Sequence, residues 1–216
     1  MSRFTKVALA GALALLAAVL AQTAAAAVES GGCTKVAKPV LKARAEKKPT
    51  TPLSAKKVYE VTLTTNCGSF TIRMDQNQSP NASASFVALV QRGFFDGIIF
   101  HRIVPGFVIQ GGDPTGSGGG GPGFSTVDKP PRDAAYTAGV VAMAKTQNEP
   151  AGTSGSQFFV VTAPDAQLPP DYALLGKVTK GMDVVQAIGK LGDPADPTGT
   201  GAPTQAVVMK KVTVSP

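Results

Sequence analysis

The sequence predicts a mainly β fold, a closed antiparallel β-barrel capped by two α-helices. Three observations predict it. Short runs with period-two alternation recur from residue 58 onward, and the 24 glycines and 17 prolines indicate frequent turns. Two isolated stretches have helical spacing instead. With 216 residues and 43% hydrophobic content, the chain is long enough for one well-buried domain.

The first residues have the composition of a secretory signal. Arg3 and Lys6 give a positive start, residues 7–21 are a run of mainly Ala, Leu and Val, and alanines at 24–27 offer cleavage points. The run is shorter than the ~20 residues that cross a bilayer. We expect residues 1–27 to be a cleaved signal peptide, with an uncleaved anchor as the alternative and no other membrane segment. The protein is then exported: secreted, periplasmic or associated with the cell envelope.

Residues 28–57 are expected to form a basic, flexible linker that precedes a folded domain at residues 58–216. Residues 34–57 carry a net charge of +7, are rich in Lys, Ala, Pro and Thr, and show little periodicity. Residues 58–216 carry a net charge of −1. A nucleic-acid-binding domain needs a basic stripe on its folded surface, so we do not expect nucleic acid as a partner.

Within residues 58–216 the elements follow in a clear order. Alternation from Val58 predicts a β-hairpin whose turn lies at residues 66–68. Ser79 and Pro80 then begin a helix, as N-cap and first helical residue, and apolar residues follow at helical spacing up to Phe94. Further strands are predicted at 98–104, 107–110, 138–144, 157–161, 173–178 and 206–214, with a second helix at 182–188.

The chain contains two cysteines, Cys33 and Cys67. Export to an oxidising compartment favours a disulfide between them, which would tie the linker to the hairpin turn. Two unpaired thiols are the alternative. Lipid attachment to Cys33 is least favoured, because Ser30 stands three residues before it, where such a signal has a bulky apolar residue.

Residues 100–123 combine polar residues with a glycine run. Glycines at 116, 118 and 121 fit a Gly-x-Gly-x-x-Gly spacing, but Pro122 and Gly123 follow where a dinucleotide site requires a helix. His101 is the single histidine, and neither a nucleophile elbow nor a zinc-ligand set accompanies it. We therefore expect a structural histidine with satisfied hydrogen bonds, no metal and no cofactor.

Arg102 lies in an apolar stretch between Phe100 and Phe107, where a charged side chain needs a partner. Two explanations stay open on these residues alone. Arg102 is either a structural arginine, ion-paired or facing solvent, or a donor that stands above an apolar pocket to meet a substrate.

Three blocks of the sequence resemble the signature blocks of the cyclophilin family. They are Phe-His-Arg through Gln-Gly-Gly-Asp at residues 100–113, Val-Val-Ala-Met-Ala at 140–144, and Gly-Ser-Gln-Phe-Phe at 155–159. A strand and a helix similar to those that follow in that family lie at 174–185. The resemblance covers about residues 59–214 in order, and it implies that the barrel is cyclophilin-like.

The resemblance implies a function and a site. The chain resembles an exported, bacterial-like peptidyl-prolyl cis-trans isomerase (a rotamase) that assists protein folding as a monomer, with proline-containing polypeptides as clients. Arg102 matches the family's catalytic arginine. The residues that stand at its proline-pocket and substrate-backbone positions are Phe107, Val108, Gln110, Ala144, Lys145, Gln157, Phe159, Leu168 and Tyr172.

Three positions depart from the family's usual pattern. Lys145 stands where many members have Asn, Gln167 where many animal members have a Trp important for cyclosporin, and Tyr172 where those members have a pocket-lining His. Substrate turnover is expected to survive these changes, but the pattern does not predict cyclosporin affinity.

The chemistry fits the absence of a nucleophile in this pattern. Rotation about an X-Pro bond breaks amide resonance against a barrier of ~18–20 kcal/mol and requires no covalent intermediate. A fixed donor and a dry pocket suffice. The alternative function is a proline-segment binding module of the same fold with incidental activity, which would not need Arg102. An adhesion protein that uses the basic linker has little support.

Overall fold

The computed structural model describes residues 32–196 and 200–216, so the expected signal peptide at 1–27 lies outside the described residues. The described residues form ten strands and two helices. None of these helices has the length and apolar content needed to cross a membrane. The strands are β1 Glu60–Thr65, β2 Gly68–Met74, β3 Phe100–Val104, β4 Val108–Gly111, β5 Thr126–Val127, β6 Val140–Met143, β7 Thr153–Ser154, β8 Phe158–Val161, β9 Leu174–Lys180 and β10 Met209–Ser215, and the helices are α1 Pro80–Gln91 and α2 Met182–Gly189.

The predicted hairpin and both predicted helices are confirmed. β1 and β2 pair in register from Glu60 opposite Arg73 to Thr65 opposite Gly68. Gly68 has a φ of 112°, which a residue with a side chain rarely adopts. The sequence did not predict the short pair β5 and β7, because a strand of two residues shows no alternation.

Eight strands form one antiparallel sheet in the order β10-β1-β2-β9-β6-β8-β4-β3. The expected closed barrel is wrong: the ladder ends at β3 and β10, and the sheet is an open half-barrel. Between these ends a single isolated bridge, Ile99 to Val208, occurs in the described residues. Irregular chain covers the β3 edge instead, where Ile103 N donates to Gly201 O at 2.7 Å. Pro203 in that stretch lacks an N–H and cannot extend a ladder.

Two apolar clusters lie on opposite faces of the sheet. The larger one fills the half-barrel beneath α1 and α2, and Phe86, Phe95 and Phe158 meet there with ring centroids 4.7–6.1 Å apart. Phe159, the next residue along β8, points to the other face and belongs to the second cluster. Strand alternation therefore assigns one phenylalanine to the core and one to a surface site.

Residues 32–57, which we call the N-terminal strap, form no helix or strand but follow the surface of the domain. The strap and the half-barrel belong to one compact unit. Cys33 forms a disulfide with Cys67, and Leu53 packs against the main core. This arrangement differs from the expected flexible linker, because apolar residues spaced among the lysines find buried partners on the domain.

Candidate active site

The residues that the sequence assigned to a site lie together on the second cluster. An apolar pocket of about 240 Å³ is lined by Arg102 and by eight of the nine expected binding residues. The ninth, Gln157, lines an adjoining depression bounded by residues 118–125, which we call the glycine-loop pocket. The eight that line the apolar pocket are Phe107, Val108, Gln110, Ala144, Lys145, Phe159, Leu168 and Tyr172.

Strand register brings the polar and aromatic members side by side. Arg102 on β3 lies opposite Gln110 on β4, and Gln110 lies opposite Phe159 on β8. A bulge between Phe100 and Arg102 shifts the register of β3 by one residue. Regular alternation would put these two side chains on the same face, whereas the bulge leaves Phe100 in the core and turns Arg102 toward the pocket.

Arg102 is partly exposed at the rim of the apolar pocket. Within residues 32–196 and 200–216, its guanidinium has no carboxylate partner within 4.0 Å. The structural ion pair that the sequence left open is therefore not formed in this part of the chain. A guanidinium offers five fixed N–H donors, so Arg102 presents unused donors above an apolar floor.

A chain of amide hydrogen bonds links the two pockets. Gln110 Nε2 donates to Gln157 Oε1 at 3.0 Å. Gln157 Nε2 in turn donates to the carbonyl oxygens of Gly118 and Gly120, at 2.9 Å each. These bonds fix both glutamine side chains and tie them to the glycine run, so that Gln110 is held in place beside Arg102.

The side chain of Asp113 holds the glycine run in place by hydrogen bonds. Its carboxylate is fully buried and accepts hydrogen bonds from the backbone N–H groups of Thr115, Gly118 and Gly120 at 2.6–3.1 Å. Burial raises the pKa of Asp113, but these hydrogen bonds outweigh it and the net pKa lies below its usual value. A Cβ at Gly120 would lie 2.0 Å from Asp113 Oδ1, so this position requires glycine. These hydrogen bonds hold the glycine run in a defined conformation.

Lys145 forms part of the wall shared by the two pockets. Its side chain is 3% exposed, and its Nζ lies 2.7 Å from Asp171 Oδ2. The same ammonium donates to the carbonyls of Thr146 and Glu149 and lies 5.6 Å from the ring centroid of Tyr172. Three acceptors thus use its three protons. Two of the departures from the family pattern, Lys145 and Tyr172, are in direct contact with each other.

Tyr172 is fixed from a second side by a residue that the sequence did not indicate. The Tyr136 hydroxyl donates to Tyr172 O at 2.7 Å and accepts from Tyr172 N at 3.0 Å. Tyr136 is buried, and its ring packs edge to face on that of Tyr172. Gln167, the third departure, does not line the pocket; it takes a left-handed backbone conformation with φ of 51° beside Leu168.

The expectation of a satisfied His101 is wrong. Both ring nitrogens are buried and have no hydrogen-bond partner in the described residues. Burial lowers the pKa of His101; the charge of Asp113 raises it and that of Arg102 lowers it further. The imidazole is therefore kept neutral next to the site, and its position on the bulge of β3 explains why strand alternation misjudged its surroundings.

The chain belongs to the cyclophilin type peptidyl-prolyl cis-trans isomerase family, whose model matches residues 60–214. The predicted enzyme class, peptidyl-prolyl cis-trans isomerase, is confirmed by this match and by the names of similar proteins. The match spans the half-barrel and both pockets, and it begins after the N-terminal strap.

Similar proteins and structures agree with this assignment. The chain is 40% identical over 136 residues to peptidyl-prolyl cis-trans isomerase CYP18-2 of Arabidopsis thaliana, covering 61% of this chain and 81% of that protein. It is 37% identical over 157 residues to peptidyl-prolyl cis-trans isomerase-like 1 of Neurospora crassa, covering 71% and 93%. Since these relatives are plant and fungal, they do not confirm the expected exported, bacterial-like form.

A crystal structure of a Cryptosporidium parvum cyclophilin type peptidyl-prolyl cis-trans isomerase, in the presence of the dipeptide Ala-Pro, resembles this fold. The TM-score is 0.65 at 31% identity, and the similarity covers 73% of this chain and 99% of the other. The cyclophilin fold predicted from the sequence blocks is thus confirmed, apart from its closure.

Proposed function

We propose that this chain accelerates rotation of X-Pro bonds in exported proteins and so assists their folding, with Arg102 as the catalytic residue. The observation that carries the proposal is an arginine without a carboxylate partner among the described residues, held at the rim of an apolar pocket. The partners are proline-containing polypeptides, with no requirement for nucleic acid or a membrane, and the protein acts as a monomer.

The apolar pocket suits a proline ring. Phe107, Val108, Phe159 and Leu168 line it, and a ring held there is fixed while the residue before it rotates. Gln110 and the backbone at Ala144 border the same pocket and can hold the flanking peptide by hydrogen bonds. Positioning of this kind converts binding energy into a favourable orientation of the bond to be turned.

Arg102 can donate a hydrogen bond to the twisted amide. As the X-Pro bond leaves planarity, resonance is lost and the imide nitrogen regains a lone pair. A guanidinium N–H aimed at that nitrogen binds the twisted state better than the planar one, which is the condition for catalysis. No covalent bond forms or breaks and no proton is transferred. Each ~1.4 kcal/mol of such differential binding gives a factor of ten in rate.

Export is proposed from the chain's own N-terminal region. Residues 1–27 have the three-part composition of a signal peptide. The disulfide between Cys33 and Cys67 fits an oxidising compartment, where such bonds persist. The test is to express the full chain in a bacterial host and to determine the N-terminus and compartment of the product by mass spectrometry. An uncleaved cytoplasmic product would overturn the export part of the proposal.

The catalytic part is tested with a proline-switch assay on a short peptide. Arg102→Ala is expected to lose a factor of about 10² to 10³ in kcat/KM, as for removal of one electrostatic donor. Arg73→Ala is the matched control: Arg73 lies on β2, is 60% exposed and pairs with Glu60 of β1, so its loss should leave full activity. Near-wild-type turnover by Arg102→Ala would refute the role of Arg102. If the wild type and the control both lack isomerase activity, only the alternative of a proline-segment binding module remains.

A further inference from the structure

The N-terminal strap runs beside the rim of the glycine-loop pocket. Glu46 N donates to Pro122 O at 2.9 Å, and Lys48 Nζ donates to Ser125 O at 2.9 Å. Ala45 lies against Gly123. Pro122, Gly123 and Ser125 all line the glycine-loop pocket. The strap is therefore part of the surroundings of the site, although it lies outside the family match.

The two faces of the strap differ in charge. Arg44 turns inward and donates to the carbonyls of Phe94 and Asp96, and Glu46 pairs with Arg92 at 3.3 Å. The lysines turn outward, and none of them has an ion-pair partner in the described part of the chain. The exposed lysines of the strap are Lys35, Lys38, Lys42, Lys47, Lys48, Lys56 and Lys57.

The rim itself contributes no charge. Residues 116–125 are glycines, serines, one proline and one phenylalanine, and none of these side chains ionises. Across the pocket, the Glu149 carboxylate is occupied by hydrogen bonds from Thr146 N and Oγ1, and Lys145 is paired with Asp171. The strap side of the rim is therefore positive, with Lys48 at its edge and Lys42 and Lys47 exposed on the same strap, whereas Glu149 keeps a negative charge on the far side.

Lys48 is the best placed of these. Its hydrogen bond to Ser125 O holds the ammonium at the rim, and the side chain remains exposed, so two of its protons are available. A cation that is already held in position loses less conformational freedom on meeting an anion. The backbone of Lys47 is fixed as well, because its carbonyl accepts from Arg92 Nη1 at 2.6 Å.

We propose that the strap lysines at this rim select client polypeptides that carry acidic side chains a few residues away from the proline. The inference rests on the proposed function and deepens it. The two pockets share Gln110, Ala144 and Lys145 as lining residues, so an extended client that fills both passes beside the rim. It advances about 3.3 Å per residue, so a carboxylate a few residues from the proline can approach the ammonium that Lys48 holds at the rim.

The expected size of the effect is moderate. Exposed ion pairs are weak one by one, but three lysines that act on one client carboxylate favour an acidic peptide about threefold to tenfold in kcat/KM at low salt. At 1 M salt the Debye length is about 3 Å, and the preference disappears.

The experiment compares peptides that differ by one residue. Peptides with one X-Pro bond carry Glu, Gln or Lys at two, four or six residues from the proline, on either side. Their kcat/KM values are measured at about 10 mM and at about 1 M NaCl, where the Debye lengths are about 30 and about 3 Å. The rim variant is Lys42→Gln/Lys47→Gln/Lys48→Gln. The matched control, Lys35→Gln/Lys56→Gln/Lys57→Gln, removes the same charge near the β1–β2 hairpin, which lines neither pocket.

The wild type and the control are expected to prefer Glu over Gln at one set of positions and low salt, and the rim variant is expected to lose this preference. Equal turnover of Glu and Gln peptides by the wild type overturns the proposal. Equal loss in both variants also overturns it, because a general effect of net charge then explains the preference. Failure to turn over the Gln peptide at all would instead refute the proposed function.

Discussion

Lys145 and Asp171 form an ion pair, 2.7 Å from Nζ to Oδ2, that joins two stretches of chain at the apolar pocket. Lys145 follows Ala144, and Asp171 precedes Tyr172; both neighbours line the pocket. Gly152 N also donates to Asp171 O at 2.9 Å, so the same two stretches meet twice. The pair keeps the pocket walls at a fixed separation.

Removal of the ammonium should loosen these walls. Lys145→Met leaves the Asp171 carboxylate without its partner, and two carbonyls lose a donor. Because Asp171 is 39% exposed, water screens part of the loss, and we expect about 1–2 kcal/mol lower unfolding free energy. KM for the peptide should rise while kcat changes little. Urea unfolding and steady-state kinetics measure both.

The matched control for this variant is Lys211→Met. Lys211 pairs with Asp96 at the same distance, 2.7 Å, but its side chain is 61% exposed. Its loss should cost less than about 0.5 kcal/mol. A cost for Lys145→Met as small as that for Lys211→Met would contradict a structural role for the pocket pair.

The amide chain between the pockets predicts a second variant. Gln157→Leu removes the donor to Gly118 O and Gly120 O and the acceptor for Gln110. The freed glycine loop and glutamine should raise KM about tenfold, equivalent to ~1.4 kcal/mol, with the fold intact. Gln186→Leu is the control. Gln186 lies on α2, away from both pockets, and its loss removes a hydrogen bond to Thr162 O, so activity should persist. An unchanged KM for Gln157→Leu would show that the hydrogen bonds between the two pockets do not support peptide binding.

The disulfide predicts a redox-dependent stability. Cys33 and Cys67 are 34 residues apart, and closure of a loop of this length contributes about 3–4 kcal/mol in the chain-entropy model. Cys33→Ser/Cys67→Ser should lose this amount, measured by urea unfolding. The wild type in excess dithiothreitol should fall to the level of the double variant, and the double variant should not respond. If the fully reduced wild type kept the unfolding free energy of the oxidised protein, the disulfide would not stabilise the fold.

His101 predicts a loss of stability in mild acid. Burial lowers the pKa of His101 below its usual 6.5, so the unfolded chain binds a proton at higher pH than the folded one. Above about pH 7 both states are neutral and nothing changes. As the pH falls through 6.5, the unfolded state gains the proton first, and stability drops by at most about 1.4 kcal/mol per pH unit.

His101→Leu, which cannot titrate, isolates this effect. Its unfolding free energy should stay level between pH 7.5 and 5.5, where the wild type declines. Asp113 does not interfere in that window, because its pKa lies below the usual 3.8 and it is ionised in both states. Parallel pH profiles for the two proteins would assign the decline to other groups.

Much of the fold follows from local patterns in the sequence. Alternation predicted the hairpin, and Ser79 and Pro80 predicted the start of α1, although Ser79 makes no side-chain capping bond. Closure of the barrel could not be read in this way. Whether β3 and β10 pair depends on the path of residues 201–208 between them, which is a long-range property that local periodicity does not encode.

The sequence blocks predicted which residues lie together at the apolar pocket, but not the contacts that hold them there. Arg102 and Gln110 stand in the blocks, and strand register brings them together. The ion pair of Lys145 with Asp171 and the hydroxyl of Tyr136 depend on loops that approach each other only in three dimensions. The strap likewise had the composition of a free linker, because the residues that face the domain follow neither a helical nor a strand period and stand among seven exposed lysines.

One buried asparagine fixes where this folding unit begins. Asn66 Nδ2 donates to Thr34 O and Ala206 O, and its Oδ1 accepts from Val208 N. The side-chain amide of Asn66 thus connects the start of the strap, the turn of the first hairpin and the residues just before β10. A recombinant fragment that begins at residue 58 or 60, as the family match suggests, would lose the disulfide at Cys67 and the hydrogen bond from Asn66 to Thr34 O. Expression and crystallisation trials should therefore start upstream of Cys33.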